Sequence, residues 1–439
     1  MGIQGLQRWI AESFPEAFSS QVSLEADHVY VDMNTILHQI LEGAGGSGAD
    51  EGQFMSALEA RLDQILARAV PRASVFLAVD GPAATAKVAE QRRRRRQRCS
   101  RLAVASGPRR GGGRGRGGAG VAGAAAPGRV SANMLTPGVP FMERLSAGLR
   151  AYCEARLGLA PGPGGAAPSR WPEGARAAVS GASSAGEGEH KILAALLRNA
   201  RGSRGGGAAA AGSQGPPRVH VVIGGDVDLL LQPLAPRGLL EGSQVLIAAP
   251  PRGLAGPPMR VCDVGRLGAG ICERWRRALD LSQRAALEEA PPPGGLADAL
   301  ELGVRRDFVL VALMRGNDYL PPLSSSQDPA RLWAAYLRWR RGREQGAGGL
   351  VGVEVDEQAG RLALCLGPVA DFMASCSGCP PPAPLGGPLG GGDEEAEGVA
   401  AYLSGLLWCM ETYVHGRTPD FHFLASAFRA PCPHTRAPG

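Results

Sequence analysis

Three short apolar runs constrain this chain more than anything else in it, because each one ends at an aspartate. His28–Met33 (HVYVDM) carries Asp32. Ser74–Val79 (SVFLAV) leads into Asp80-Gly81-Pro82, and Val219–Ile223 (VHVVI) leads into Gly224-Gly225-Asp226-Val227-Asp228. Short β-branched runs bounded by turn residues predict buried strands. Ala175–Ser180 predicts another, and Asp307–Leu313 (DFVLVAL) predicts the last, running into Arg315-Gly316-Asn317-Asp318. Helices are expected between them. Phe54–Val70 has Phe54, Leu58, Leu62, Ile65 and Leu66 at helical spacing; Pro140–Leu157, His190–Arg198 and Asp263–Leu279 also read as helices. This alternation implies an α/β fold with a mostly parallel central sheet and helices on both faces.

The chain after about residue 323 is less regular and predicts a mainly helical part. Pro329–Arg341 is amphipathic and Trp-rich, Pro380–Gly398 reads as a linker with an acidic tip at Asp393–Glu397, and Val399–His415 reads as a helix. The expected division is therefore residues 1–323 and 324–439. Gly107–Gly128 and Gly202–Pro217 are Gly/Ala-rich insertions within the first part, and Ala160–Pro168 reads as a linker.

The stretch Ser180–Leu193 (SGASSAGEGEHKIL) sets Glu187 and Glu189 on a glycine-rich turn that opens a helix. A helix N-terminus favours acids through its dipole, which alone would explain the pair. The other acids change that reading. Asp32, Asp80, Asp226, Asp228 and Asp318 all follow predicted strands, so with Glu187 and Glu189 seven carboxylates share one sheet edge. Ligands bind beyond the carboxyl ends of strands in open parallel sheets. Buried carboxylates repel one another unless protons or cations compensate. Hard divalent ions such as Mg²⁺ suit oxygen ligands. Two ions about 4 Å apart drive in-line displacement at phosphodiesters. Turn capping would suffice for any one of these aspartates.

Ala86–Arg101 predicts a very basic helix, with Lys87, Gln91, Arg94, Arg95 and Arg98 on one face. That face suits a terminal phosphate, which Arg grips bidentately; a solvated charge run or nuclear-import signal is the alternative at Arg92–Arg96. Arg109–Arg116 could hold RNA nonspecifically. A net charge of +6 and a pI near 9.0 are compatible with a polyanionic partner. No apolar run reaches the ~18 residues of a membrane span. The opening MGIQGLQRWI has no signal-peptide pattern, and the nine cysteines are thinly spread as in reduced, intracellular proteins. Cys376-Ser377-Gly378-Cys379 has ligand-like spacing, with Cys432 and His434 as distant possible zinc partners.

These segments together resemble the XRN-type 5′→3′ exoribonuclease family. The resemblance is carried by Met1-Gly2-Ile3 with Arg8-Trp9-Ile10, VDMNTILH (31–38), FLAVDGPAATAKVAEQRRRRR (76–96) and LTPGVPFMERL (135–145). It continues through SGASSAGEGEHKI (180–192), IGGDVDLLL (223–231), DFVLVALMRGNDYLPPL (307–323) and, more weakly, GLLWCMETYVHGRTPDFHF (405–423). It implies a PIN/FEN-like nuclease core without the C-terminal modules of the larger members. It implies hydrolysis of single-stranded, 5′-monophosphorylated RNA to mononucleotides, in RNA decay or processing, in nucleus or cytoplasm. The seven acids are then the catalytic metal ligands for two Mg²⁺ ions, with Mn²⁺ able to substitute. Lys87, Gln91, Arg94 and Arg95 become the 5′-phosphate pocket. His38 stacks on a base, with Phe421 as substitute for the family's opposing aromatic. Asn34 and Asn317 flank metal-site aspartates, where they either orient them or serve as ordinary turn residues. A flap endonuclease shares the start MGIQGL and an acidic site, but EGEH and GNDYLPPL follow the exoribonuclease pattern. A non-catalytic RNA-binding relative is a third reading, disfavoured by the complete acidic set.

Overall fold

The computed structural model describes residues 5–43, 49–88, 92, 129–159, 171–202, 217–279, 296–323, 328–343, 349–353, 362–377 and 393–423. The main sheet consists of β1 (Phe18–Gln21), β2 (Leu24–Asp32), β3 (Ala69–Ala78), β4 (Arg176–Ser180), β5 (Arg218–Ile223), β6 (Ser243–Ala248) and β7 (Met259–Asp263). Their order is β1-β7-β6-β5-β2-β3-β4. The five strands from β6 to β4 are parallel, while β7 and β1 add an antiparallel edge.

That order has one physical consequence for function. From β2 the chain winds outward through β3 and β4, then returns to the other side of β2 as β5 and continues to β6. The direction reverses between β2 and β5, which opens a crevice beyond their carboxyl ends. Register puts Val31 opposite Ile223 and Asp32 opposite Ala78, so the ends of three strands are level.

Alternation along the strands sends side chains to two cores. Val29, Val31, Val75, Leu77, Val221 and Ile223 pack with α2 (Met33–Gly43), α3 (Glu51–Arg68) and α4 (Pro140–Arg156). Tyr30, Val222, Val245 and Ile247 face the other core, built with α1 (Leu6–Ser13), α5 (Gly188–Gly202), α6 (Val264–Ala278), α7 (Leu296–Leu313), α8 (Pro329–Arg341), α9 (Leu366–Ser377) and α10 (Asp393–His415). Aspartate caps set several helix starts, among them Asp328, which accepts the Ala330 N–H at 3.0 Å at the start of α8. Asp50 and Gln53 form a reciprocal capping box that starts α3 at Glu51, and Asp263 accepts the Arg266 N–H at 3.0 Å to start α6.

Two sequence expectations are corrected. Asp307–Leu313 is the last two turns of α7, not a strand. Residues 304 to 314 are buried on every side, among α1, α6, α8, α10 and a small hairpin, β8 (Val351–Val353) with β9 (Leu362–Leu364). A helix wrapped on all faces loses its polar stripe, and its apolar run then imitates a buried strand. Consequently Asp318 follows a helix. The acidic tip Asp393–Glu397 is the first turn and more of α10 instead of linker. Strands β1, β6 and β7 had no counterpart in the sequence reading. Both insertions, the linker 160–168, Cys379, Cys432 and His434 lie outside the described residues, apart from the end points at 202 and 217.

Candidate metal centre

The strand ends bring six of the seven acids together directly. Asp32 ends β2, Asp80 lies two residues past β3, and Glu187 and Glu189 lie at the start of α5 after β4. Asp226 and Asp228 follow β5. Asp318 arrives by a different route, on the turn after α7, where Gly316 takes φ 85°. Asn317 is a turn residue there: its Oδ1 accepts the N–H groups of Tyr319 and Leu320 at 2.9 and 2.8 Å. Asn34 instead serves the acids. Its backbone N–H reaches Asp32 Oδ1 at 3.1 Å and its side chain donates to Asp80.

Gly188 lets the turn fold onto the strand ends. Its N–H donates to Asp80 Oδ1 at 2.7 Å. A β-carbon there would sit 3.3 Å from each of Ala78 O, Asp32 Oδ1 and Asp80 Oδ1, a squeeze no neighbour could readily relieve. Gly186, at φ 103°, makes the preceding bend. Lys191 then ties the turn down, donating to Val79 O at 2.8 Å and Gly181 O at 3.0 Å. Burial lowers its pKa to about 8.

The electrostatics split the acids into three groups. Asp32 accepts from Thr35 Oγ1 at 2.9 Å, yet burial, with Asp80 and Asp226 beside it, pushes its carboxyl up to about 7. Burial and Glu187 raise Asp80 as well. The second group is Glu189, Asp226 and Asp228, which offer oxygens all within 4.8 Å of one another. Burial raises Glu189 far above the usual range, with Asp228 and Asp226 adding to it. Burial and Asp226 push Asp228 up to about 7, against a hydrogen bond from Tyr413. Asp228 Oδ1 is buried and has no hydrogen-bond partner among the described residues. In the third group, Lys87 Nζ lies 2.6 Å from both Glu187 Oε2 and Asp318 Oδ2. Burial disfavours the ammonium, but Glu187 and Asp318 outweigh it and hold the Lys87 pKa well above the usual value. The Tyr319 hydroxyl donates to Glu187 Oε1, and Lys87 Nζ sits 5.5 Å above the Tyr319 ring.

These residues fit hard divalent cations. The donor set is carboxylate oxygen, one buried oxygen is bare, and several acids are pushed toward protonation by burial and by one another. The group Glu189, Asp226 and Asp228 could hold a metal ion.

The other sequence candidates fall as follows. Lys87 stands on a helical turn over residues 85–88, while Gln91, Arg94, Arg95 and Arg98 lie outside the described residues. His38 is exposed on α2. Phe421 is 36% exposed, and its carbonyl accepts the Thr85 N–H at 2.9 Å, so its segment borders the Lys87 turn. Trp408 packs behind Tyr319, the aromatic hydrogen-bonded to Glu187. Its ring lies 5.0 Å from Tyr319 and stacks on Phe423 at 5.1 Å, and its indole donates to Asp420 O at 3.0 Å. Sequence reasoning passed over Thr35, Lys191, Tyr319 and Tyr413. Tyr319 and Lys191 each adjoin a recognised acidic motif, GND and EGEH; Thr35 and Tyr413 gave no local signal.

A family model described as the XRN 5′-3′ exonuclease N-terminus matches residues 1–238. The 5′-3′ exoribonuclease 2 of Aspergillus fumigatus is 27% identical over 380 residues, covering 74% of this chain and 34% of that protein. That of Gallus gallus is 28% identical over 263 residues, covering 54% of this chain and 26% of the relative. The homolog in Drosophila melanogaster is 28% identical over 270 residues, 54% of this chain and 27% of the relative. The chain thus spans about a quarter to a third of the length of the curated relatives it matches. A solved structure of the catalytic core of Rad2 in complex with DNA substrate aligns with TM-score 0.37 and 12% identity, covering 75% of this chain and 67% of that one.

Proposed function

With residues 1–238 matched, the chain belongs to the XRN 5′-3′ exonuclease family, and from that premise we propose that it is a Mg²⁺-dependent 5′→3′ exoribonuclease acting on single-stranded RNA with a 5′-monophosphate. The observation that carries the proposal is the group Glu189, Asp226 and Asp228, with its bare buried oxygen, at the switch point of the sheet. Residues 1–323 form the nuclease domain in this reading, and 324–439 its helical completion. No helix among the described residues is long and apolar enough to cross a membrane.

Glu189, Asp226 and Asp228 would hold one ion, and Asp32, Asp80, Glu187 and Asp318 would contribute to a second. Bound divalent ions supply Lewis acidity, which makes water nucleophilic at neutral pH and neutralises the leaving oxygen. The remaining work belongs to the protein. Thr35, Asn34 and the Gly188 N–H aim Asp32 and Asp80, and Tyr413 aims Asp228. Such supporting partners are worth 10–100-fold in metal affinity in known sites. Lys87 lies 2.6 Å from two of the acids, and with Gln91, Arg94 and Arg95 it receives the terminal phosphate. That pocket takes several charge-assisted bonds from a monophosphate and almost none from a hydroxyl. His38 and Phe421 contact bases by stacking.

The test is a time course on RNAs that differ only at the 5′ end, labelled at either terminus, with Mg²⁺, Mn²⁺ or EDTA. Mononucleotides should be released from the 5′ end of the monophosphorylated RNA, and EDTA should stop the reaction. Cleavage inside the strand, or equal rates on hydroxyl and monophosphate ends, overturns the exonuclease reading.

A further inference from the structure

Lys87 occupies an unexpected position for a phosphate-binding residue. Its ammonium points at the acids, 2.6 Å from Glu187 Oε2 and 2.6 Å from Asp318 Oδ2, and its side chain is 14% exposed. It bridges two segments far apart in sequence, the turn before α5 and the turn after α7. A single positive charge between two carboxylates leaves little attraction for a further cation at that spot, and an ammonium adjacent to a divalent ion would be repelled strongly in a buried site. The trio Glu189, Asp226 and Asp228 differs. Its oxygens lie within 4.8 Å of one another, and Asp228 Oδ1 is left bare.

We infer that Lys87 is a resident counter-ion, holding Glu187 and Asp318 in the place a second divalent ion takes, and leaving it only when a 5′-phosphate draws the ammonium away. The trio accepts an ion with no RNA present. The second place opens on arrival of a terminal phosphate, because the lysine then has an anion of nearly two charges to pair with. This deepens the exoribonuclease reading and rests on it for the identity of the phosphate. End specificity then arises twice. A hydroxyl-ended RNA binds weakly, and it also leaves the second metal place filled by the lysine. By linkage, the phosphate and the second ion must raise each other's affinity by the same factor.

The test counts ions without measuring activity. Mn²⁺ binding is titrated by electron paramagnetic resonance and calorimetry on the full chain, alone, with adenosine 5′-monophosphate and with adenosine. The wild type should bind one tight Mn²⁺ alone. A second should tighten by about tenfold or more with the monophosphate, within the usual range of coupling, and not with adenosine. Lys87→Met should bind the second ion without nucleotide, and Lys87→Arg, which keeps the cation, should behave as wild type. A second variant, Lys87→Gln, serves if the methionine variant is not folded by circular dichroism. Two equally tight ions on the wild type alone, or a single ion on the folded Lys87→Met or Lys87→Gln protein, overturns the inference and leaves the nuclease reading standing. No Mn²⁺ bound by any form overturns both.

Discussion

Asp228 and Asp307 are both buried aspartates, 8% and 1% exposed, set in very different surroundings. Asp307 lies in α7 and is fully engaged. Its Oδ1 accepts the N–H groups of Leu350 and Val351 at 2.8 and 3.0 Å, and its Oδ2 accepts the Tyr336 hydroxyl at 2.8 Å. Gly349 passes so close that a β-carbon would lie 2.7 Å from Oδ2. Burial raises its carboxyl to about 6, a rise those bonds oppose. Asp228 has one oxygen bare and two acids as neighbours. A carboxylate whose lone pairs are met by fixed donors serves the fold, here by fastening β8 to α7. A carboxylate left bare among its own kind is destabilising unless a cation arrives, and persists where binding one is the purpose.

The sharpest way to break this contrast is to neutralise each acid. Asp228→Asn should reduce RNA hydrolysis by roughly three orders of magnitude, the scale on which electrostatic stabilisation is lost from a reacting centre. Above about pH 7, where Asp228 is ionised, the metal-free variant should melt no lower than wild type, because one repulsive charge is gone. A clear drop in its melting temperature would place Asp228 with Asp307 as a structural residue.

Asp307→Ala comes next. It strands two backbone N–H groups and a tyrosine hydroxyl, at about 1–3 kcal/mol each. A loss of about 3 kcal/mol or more in urea denaturation is expected, with unchanged metal affinity per folded molecule. Weaker Mn²⁺ binding by the folded variant would contradict the separation of the two regions.

A third prediction uses pH on metal-free protein. Asp32 and Asp228 titrate near 7 folded, against an ordinary value of 3.8. Their folded state keeps protons the unfolded chain has released, so their contribution is full below 3.8 and is lost as pH rises through about 7. His220 has the opposite sign. Burial lowers it to about 4 from 6.5, with the His28 ring stacked 5.0 Å away. The unfolded chain therefore takes up its proton first, and stability falls as pH drops from 6.5 toward 4. Denaturant midpoints should fall on the alkaline side from pH 6 to 8, and saturating Mg²⁺ should flatten that arm alone. An alkaline arm insensitive to Mg²⁺ would mean that other groups, Asp307 among them, govern it.

The smallest effect is expected at Thr35→Val, which removes one hydrogen bond from Asp32 Oδ2. Metal affinity should weaken by about tenfold, at the lower end for a supporting partner, with little change in folding. Calorimetry with Mn²⁺ distinguishes this from no effect.

Much of the candidate site was legible because its ligands are local to strand ends. A buried strand announces itself by an apolar run, and Asp32, Asp80 and Asp226 each follow one. α3 and α4 were legible for the same reason, since each faces the sheet on one side only. β6 and β7 sit among prolines and glycines, and the one acid at the end of β7, Asp263, reads as the start of the next helix. α7 misled because burial on every side erases the period that marks a helix.

The sequence by itself therefore determined which residues end the strands, and so which carboxylates meet at one edge of a parallel sheet. It also determined the close turn at Gly188, since the acids and the glycine are neighbours in the chain. Only the tertiary structure decided what pairs with what across that edge. Lys87, Glu187 and Asp318 meet because α7 docks behind the sheet and returns its turn to the strand ends, and no local pattern encodes a contact 231 residues long. Periodicity records which way a side chain faces. Which charge it finds there depends on how separate elements pack, and that decides whether a buried acid is stapled, countered by a lysine, or left open for a metal.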